Sequence, residues 1–94
     1  IVYSSPIIKE RYKAFSVKER ILILTDMPRL FYLEPEKLAV KGSVPWTHMI
    51  CAEADTESKF HVYTPDRTYH FVDSEHRAGL WAGKINDVVK RTPK

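Results

Sequence analysis

Near Asp73 the hydrophobic pattern of this chain changes period, and that change limits the folds open to it. Before it, apolar residues alternate or stand in short runs. From about Lys13 to Thr25, Phe15, Val17, Ile21 and Ile23 share one parity; Ala14, Ser16, Lys18, Arg20, Leu22 and Leu24 share the other. A strand sends those two sets to opposite faces. After it, Ala78, Trp81, Ala82, Ile85, Val88 and Val89 recur at helical spacing, with Arg77, Lys84, Asp87 and Lys90 on the opposite face. Asp73 or Ser74 is suited to cap this helix and Pro93 to close it, which predicts a helix over about 74–91.

The strand-like part, within about residues 1–72, is divided by turn signals. Thr25-Asp26-Met27-Pro28 reads as a turn, followed by a strand from Arg29 to Leu33. Glu34-Pro35-Glu36-Lys37 turns the chain into a strand over Leu38–Lys41, and a short strand around Met49–Ala52 leads to a polar loop, Glu53–Ser58. The clearest hairpin joins Phe60–Tyr63 to Thr68–Val72 through Thr64-Pro65-Asp66-Arg67, with Pro65 preset for the first central position of a type I turn. The pattern predicts a mostly β domain, an antiparallel sandwich or barrel capped by one C-terminal amphipathic helix.

Ninety-four residues support one domain, 1–94, and exclude a complete kinase, Rossmann or barrel enzyme. No apolar run exceeds four residues (Ile21–Leu24 is one), far short of the ~20 that cross a bilayer as a helix. Ile1-Val2-Tyr3 has neither an initiator Met nor a signal pattern, so the chain is expected to be part of a longer protein. Cys51 is the only cysteine, which allows no internal disulfide and suits a reducing, cytoplasmic setting.

The formal net charge of +3 is unevenly spread. Residues 1–29 carry six basic and three acidic side chains, residues 30–75 four and eight, and residues 76–94 five and one. The first excess is interleaved with apolar residues on strands, where fixed spacing can turn it into a defined patch. The last excess suits the solvent face of a helix.

The order of elements, Trp81 in the helix and the pair Lys18-x-Arg20 on an early strand resemble a pleckstrin homology (PH) domain. Four segments are similar to one subfamily: Ile21-Leu22-Ile23-Leu24-Thr25, Leu30-Phe31-Tyr32, Val40-Lys41-Gly42-Ser43-Val44-Pro45-Trp46, and Tyr63-Thr64-Pro65-Asp66-Arg67-Thr68-Tyr69. That subfamily is the PH domain at the C-terminal end of the 3-phosphoinositide-dependent protein kinases, Ser/Thr kinases that phosphorylate AGC-family kinases. The likeness runs from about Arg11 to Arg91. It implies a seven-stranded antiparallel sandwich or barrel with a capping helix, and a phosphoinositide-binding module without catalytic activity of its own.

An inositol phosphate headgroup is a compact polyanion, and cations from more than one segment must converge on it. Lys18 and Arg20, two apart, point the same way. The resemblance implies that these two bind the headgroup, with Arg11 as the earlier basic residue, Lys9 and Lys13 as secondary candidates, and Lys41 as a fourth ligand. Arg suits forked contact with phosphate oxygens, Lys a mobile point charge. Lys13 and Arg29 are expected to add attraction of about 1 kcal/mol each at an anionic leaflet. Glu19 departs from the subfamily's run of basic residues, and alternation turns it away from the pocket.

Trp81 is expected in the core, while Trp46 suits either a packing anchor or a ring near the headgroup. Of His48, His61, His70 and His76, only His48 stands close to Cys51 in sequence, one pair where a metal site needs several converging ligands, so no metal is expected. No nucleophile motif, cofactor motif or RRM-type aromatic string occurs, which argues against catalysis, a cofactor and nucleic-acid binding. The expected partners are phosphoinositides of the cytoplasmic leaflet at the plasma membrane, and through the parent chain its own kinase domain or AGC kinase substrates. Two alternatives stay open: a protein-interaction or autoinhibitory module with weak lipid binding, and a binder of soluble inositol polyphosphates.

Overall fold

A computed structural model describes residues 2–10 and 17–91. Seven strands precede one helix: β1 (Tyr3–Glu10), β2 (Val17–Thr25), β3 (Arg29–Leu33), β4 (Val40–Val44), β5 (Cys51–Ala54), β6 (Lys59–Tyr63), β7 (Thr68–Val72) and α1 (Ala78–Arg91). The strands form one antiparallel sheet of order β4-β3-β2-β1-β7-β6-β5. Two meanders thus meet at the β1–β7 ladder, which covers Ile8–Glu10. Pro6, which has no N–H to give a ladder, lies before that stretch, where β2 alone flanks β1. Among the described residues β4 and β5 are not paired with each other, so the sandwich is not closed into a barrel.

Alternation builds the core. Leu22 and Leu24 of β2, Leu30 of β3, Val44 of β4, Phe60 and Val62 of β6, and Tyr69 and Phe71 of β7 are all buried on the inner face. Helix α1 packs on β5 and β6 with Ala78, Trp81, Ala82, Ile85 and Val88 buried. Trp81 is fully buried, stacked 5.9 Å from the Phe60 ring and edge-on to Tyr3 at 4.7 Å. Its indole Nε1–H donates to the Ser5 hydroxyl at 2.9 Å, so the helix is hydrogen-bonded across the core to the first strand. Asn86 treats β5 as a further strand would: its Oδ1 accepts the Ala52 N–H at 2.9 Å and its amide donates to the Ala52 carbonyl at 2.8 Å. That occupies part of the exposed edge.

Three boundaries differ from the sequence expectation, each for a local reason. The strand expected over 38–41 begins at Val40, because Leu38 adopts φ 52° and the chain closes a loop with Leu38 N–H on the Glu34 carbonyl and Glu34 N–H on the Ala39 carbonyl. Met49 and Ile50 are held in a turn by Thr47, so the next strand starts at Cys51. The helix starts at Ala78 rather than near 74. The buried Asp73 carboxylate accepts the Glu75 N–H and its carbonyl accepts the His76 N–H, while His76 sits at φ 60°. The capping chemistry read at Asp73 therefore builds a turn ahead of the helix, whose first hydrogen bond runs from Trp81 N–H to the Arg77 carbonyl. Pro93 lies outside the described residues.

In the β6–β7 hairpin a side chain closes the turn around Pro65 and Asp66, beside the Thr64 N–H to Arg67 carbonyl bond at 3.0 Å. The buried Thr64 hydroxyl donates to the Arg67 carbonyl at 2.7 Å and accepts the Arg67 N–H at 3.2 Å.

Replacing Trp81 by Ala should lower unfolding free energy by about 3–5 kcal/mol in a urea titration. Trp81→Phe should cost less, and adding Ser5→Ala should recover part of that loss, because the stranded hydroxyl is then removed as well.

Candidate functional site

The parity that buries Leu22 and Leu24 also assigns Lys18 and Arg20 to the inner face of β2, beyond the end of the apolar core. The same holds on β1, where Ser5 and Ile7 are buried and Lys9 follows on the same face. Lys9 and Lys18 are direct cross-strand partners, and Arg20 stands opposite Ile7. Like charges placed opposite one another destabilise a ladder unless something negative shares them.

Strand β4 contributes through an irregularity. Tyr32 pairs with Gly42 and Leu33 with Val40, so Lys41 is the extra residue of a bulge. Strict alternation would turn Lys41 away from the face of Gly42 and Val44, and a bulge re-aims such a side chain. The result is an open depression of about 150 Å³ lined by Lys9, Lys18, Arg20, Tyr32 and Lys41.

Tyr32 forms the floor of this arrangement. The Lys9 ammonium lies 5.2 Å from its ring centroid. A Cβ added to Gly42 would come within 2.5 Å of the Tyr32 hydroxyl, so the ring occupies the space that glycine leaves open. Burial raises the Tyr32 pKa, the neighbouring Tyr69 adds to the rise, and the charges of Arg67 and Arg20 oppose it. The phenol therefore stays protonated at neutral pH and is a hydrogen-bond donor. Arg67, set by the Thr64 turn and 4.3 Å from the Tyr69 ring centroid, brings a further cation near Tyr32.

Existing contacts already orient some of the cations. Arg20 Nη1 donates to the Glu19 carbonyl at 2.8 Å, while its Nε is buried without a hydrogen-bond partner. Lys41 Nζ lies 3.6 Å from a Glu34 carboxylate oxygen. Glu19 pairs with Ile8, on the outer parity of both strands.

Four of the six basic residues singled out from sequence thus come together: Lys18, Arg20, Lys41 and Lys9. Arg11 and Lys13 lie outside the described residues. Tyr32 and Arg67 were missed as site residues, although both stand in the quoted segments, because nothing in one dimension shows that the β3 and β6–β7 segments meet. Arg29 is corrected: it pairs with Thr25, at the opposite end of the β2–β3 ladder from the basic depression, and stacks 4.7 Å from the Phe31 ring centroid. Trp46 is half-buried against the core and does not line the depression, so its role is packing. His61 pairs with Asp55 at 3.0 Å, and among the described residues no group of three or more His, Cys, Asp or Glu is arranged to hold a metal ion. No helix among them is long and apolar enough to cross a membrane.

A family model described as PH domain matches residues 1–94, the whole chain. The chain belongs to the PH domain family. This PH domain is 40% identical over 77 residues to a probable serine/threonine-protein kinase, pdkA, of Dictyostelium discoideum, an alignment covering 82% of the chain and 11% of that kinase. It is 37% identical over 82 residues to 3-phosphoinositide-dependent protein kinase 1 of Caenorhabditis elegans, and 35% to the human enzyme of the same name. Those alignments cover 87% of the PH domain and 13% and 15% of the two kinases, so it spans under a sixth of their length. Among solved structures, the PH domain of human oxysterol-binding protein-related protein 11 superposes with TM-score 0.75 at 12% identity, covering 95% of this chain and 80% of that one. The C-terminal PH domain of pleckstrin, in complex with D-myo-Ins(1,2,3,4,5)P5, superposes with TM-score 0.71 at 18% identity, covering 98% and 97%. At such identities the likeness establishes the fold. The described residues make up this module and contain no kinase catalytic fold.

The raised Tyr32 pKa has a defined consequence for stability. Its contribution is fully present below the unfolded tyrosine value of 10.0 and is lost as pH rises above it, since the unfolded phenol ionises first. Tyr32→Phe should therefore flatten the alkaline fall in urea-unfolding free energy relative to the wild type.

Proposed function

We propose that this PH domain binds the headgroup of a phosphoinositide in the basic depression and recruits a Ser/Thr protein kinase, of which it is one part, to the cytoplasmic face of the plasma membrane. The observation that carries the reading is the convergence of Lys9, Lys18, Arg20 and Lys41 from three strands onto one open depression. A solvated basic face needs no such focus, whereas a polyanionic ring does.

In this reading Arg20 makes the forked phosphate contact, and Lys18, Lys9 and Lys41 supply mobile charges to other ring positions. The protonated Tyr32 phenol and the Arg67 guanidinium add donors that the sequence reading did not include. Each well-made charged hydrogen bond contributes about 1.5–3 kcal/mol net. Four at the upper end of that range reach the roughly 8 kcal/mol of micromolar binding after about 4 kcal/mol of association cost.

The kinase relatives support the parent's identity. The Caenorhabditis elegans and human kinases carry 3-phosphoinositide-dependent in their names, and the matched segment is a small part of each. Membrane recruitment would place such a kinase beside AGC-family substrates held on the same lipid, raising effective concentration with no new catalytic contact. A soluble inositol polyphosphate offers the same chemistry to the same cations, and the pleckstrin domain bound to an inositol pentakisphosphate keeps that reading open.

The deciding assay is binding of wild type and a Lys18→Ala/Arg20→Ala double variant to vesicles carrying each phosphoinositide in turn, with soluble inositol phosphates as competitors. Saturable wild-type binding weakened well over tenfold in the variant, more than ~1.4 kcal/mol, is the expected result. Binding that follows only total vesicle charge and ignores the substitutions would reject lipid recruitment in favour of protein docking. Tight binding of the soluble ligand with none to vesicles would favour cytosolic retention.

Glu34 competes with the ligand for Lys41. Glu34→Gln should tighten headgroup binding by up to about fivefold, the scale of one exposed ion pair, as read by calorimetric titration.

A further inference from the structure

The outer face of β5, β6 and β7 carries a polar row that the basic depression does not use. Glu53 pairs with His61 across β5–β6, and His61 pairs with His70 across β6–β7. Phe60 and Val62 of β6 and Tyr69 and Phe71 of β7 are the buried inner residues, so alternation turns both histidines outward. The depression is built on the inner parity of β1 and β2, and neither histidine lines it.

The two imidazoles are direct cross-strand neighbours, with ring centroids 6.0 Å apart at 46°. Side chains so placed have Cβ atoms about 5 Å apart. Rotation about their own χ bonds is enough to bring a nitrogen of each onto one ion. His61 is already prepared for this, because its Nδ1 lies 3.0 and 3.1 Å from the two carboxylate oxygens of Asp55. A carboxylate only accepts, so Nδ1 carries the hydrogen and the neutral ring presents the lone pair of Nε2. Metal-ligating histidines donate their other ring N–H to a carboxylate in the same way, which fixes the ring and raises its basicity. Asp55 is fixed in turn. Its N–H and that of Thr56 donate to the Lys59 carbonyl at 2.7 and 3.1 Å, and the Thr56 hydroxyl accepts the Lys59 N–H at 3.0 Å.

Imidazole nitrogen suits Cu²⁺, Ni²⁺ and Zn²⁺, whereas Mg²⁺ and Ca²⁺ take oxygen ligands. The surrounding charge favours a cation: the Glu53 and Asp55 carboxylates neighbour His61, against the one ammonium of Lys59 two residues along β6. Among the described residues no three such ligands converge, so two histidines and solvent water make up the coordination. Spacing along the chain hides the pair, because a hairpin turn separates His61 from His70 and only strand register brings them together.

We propose that His61 and His70 chelate one divalent transition-metal ion on the outer face of the β6–β7 hairpin, Cu²⁺ most tightly and Ni²⁺ and Zn²⁺ more weakly. Asp55 is the positioning residue, acting through His61. The bound ion ties β6 to β7 and stabilises the hairpin, independently of any headgroup in the depression.

The test is a calorimetric titration of Cu²⁺, in a non-coordinating buffer at neutral pH, into the untagged chain. It is repeated with His61→Gln, His70→Gln, Asp55→Asn, His48→Gln and Cys51→Ser variants whose fold is verified by circular dichroism without metal. Wild type should take up one ion per chain. Either His61→Gln or His70→Gln should weaken binding by more than about tenfold, and Asp55→Asn by about tenfold, the low end for loss of a carboxylate behind a ligand. His48→Gln and Cys51→Ser should bind as wild type does. Amide resonances around positions 61 and 70 should broaden first as the paramagnetic ion is added. The ion should also raise the melting temperature of wild type and leave that of the double histidine variant unchanged. Absence of saturable wild-type binding to Cu²⁺, Ni²⁺ and Zn²⁺ alike would overturn the site. So would binding that both histidine variants retain and that His48→Gln or Cys51→Ser removes.

Discussion

The two-residue period of β2 ties the core of this domain to its surface chemistry. Leu22 and Leu24 are fully buried, and Lys18 and Arg20 continue the same face to the end of the strand. A slip of one residue would put the leucines in water and turn both cations away from the depression. Burial of the leucines therefore sets the direction of the cations, and the energetics of folding and the geometry of the site are linked through one register. The β1 register does the same for Lys9 through Ser5 and Ile7.

The site is assembled at the end of the sheet where the apolar core runs out. Strands β1, β2 and β4 each deliver cations, β3 delivers the tyrosine that floors the depression, and the β6–β7 turn brings Arg67 toward it. Three features stand apart from regular strand geometry: the bulge at Lys41, the close approach of Tyr32 to Gly42, and the side-chain-locked turn at Thr64. Each bears on the position of a site side chain. The far side of the domain is regular by comparison, with α1 anchored through Trp81 to Ser5 and through Asn86 to the edge of β5.

Much of this was legible beforehand where the signal was local. The β6–β7 hairpin, the β3 strand and the apolar face of α1 follow from alternation, turn residues and helical spacing, each set by neighbours a few positions apart. The boundaries that moved depend on other contacts. The run Leu38-Ala39-Val40 after the Glu34–Lys37 turn reads as the start of a strand, yet the Glu34 carbonyl and N–H close a loop there. Asp73 was read as a helix cap, and its carboxylate is instead used two residues on, with the Arg77 guanidinium 3.5 Å from its other oxygen.

The sequence by itself determined the class of fold, the module's family likeness and the shared face of Lys18 and Arg20, because period, turn chemistry and the Lys18–Arg20 spacing are one-dimensional properties. Only the tertiary structure decided which of the basic residues converge. It brought Lys9 and Lys41 to Lys18 and Arg20, sent Arg29 to the opposite end of the β2–β3 ladder, added Tyr32 and drew Arg67 near. The physical reason is that convergence depends on strand pairing between distant segments and on one bulge. Register across a sheet is set by the packing of the whole core, which no short stretch of residues encodes alone.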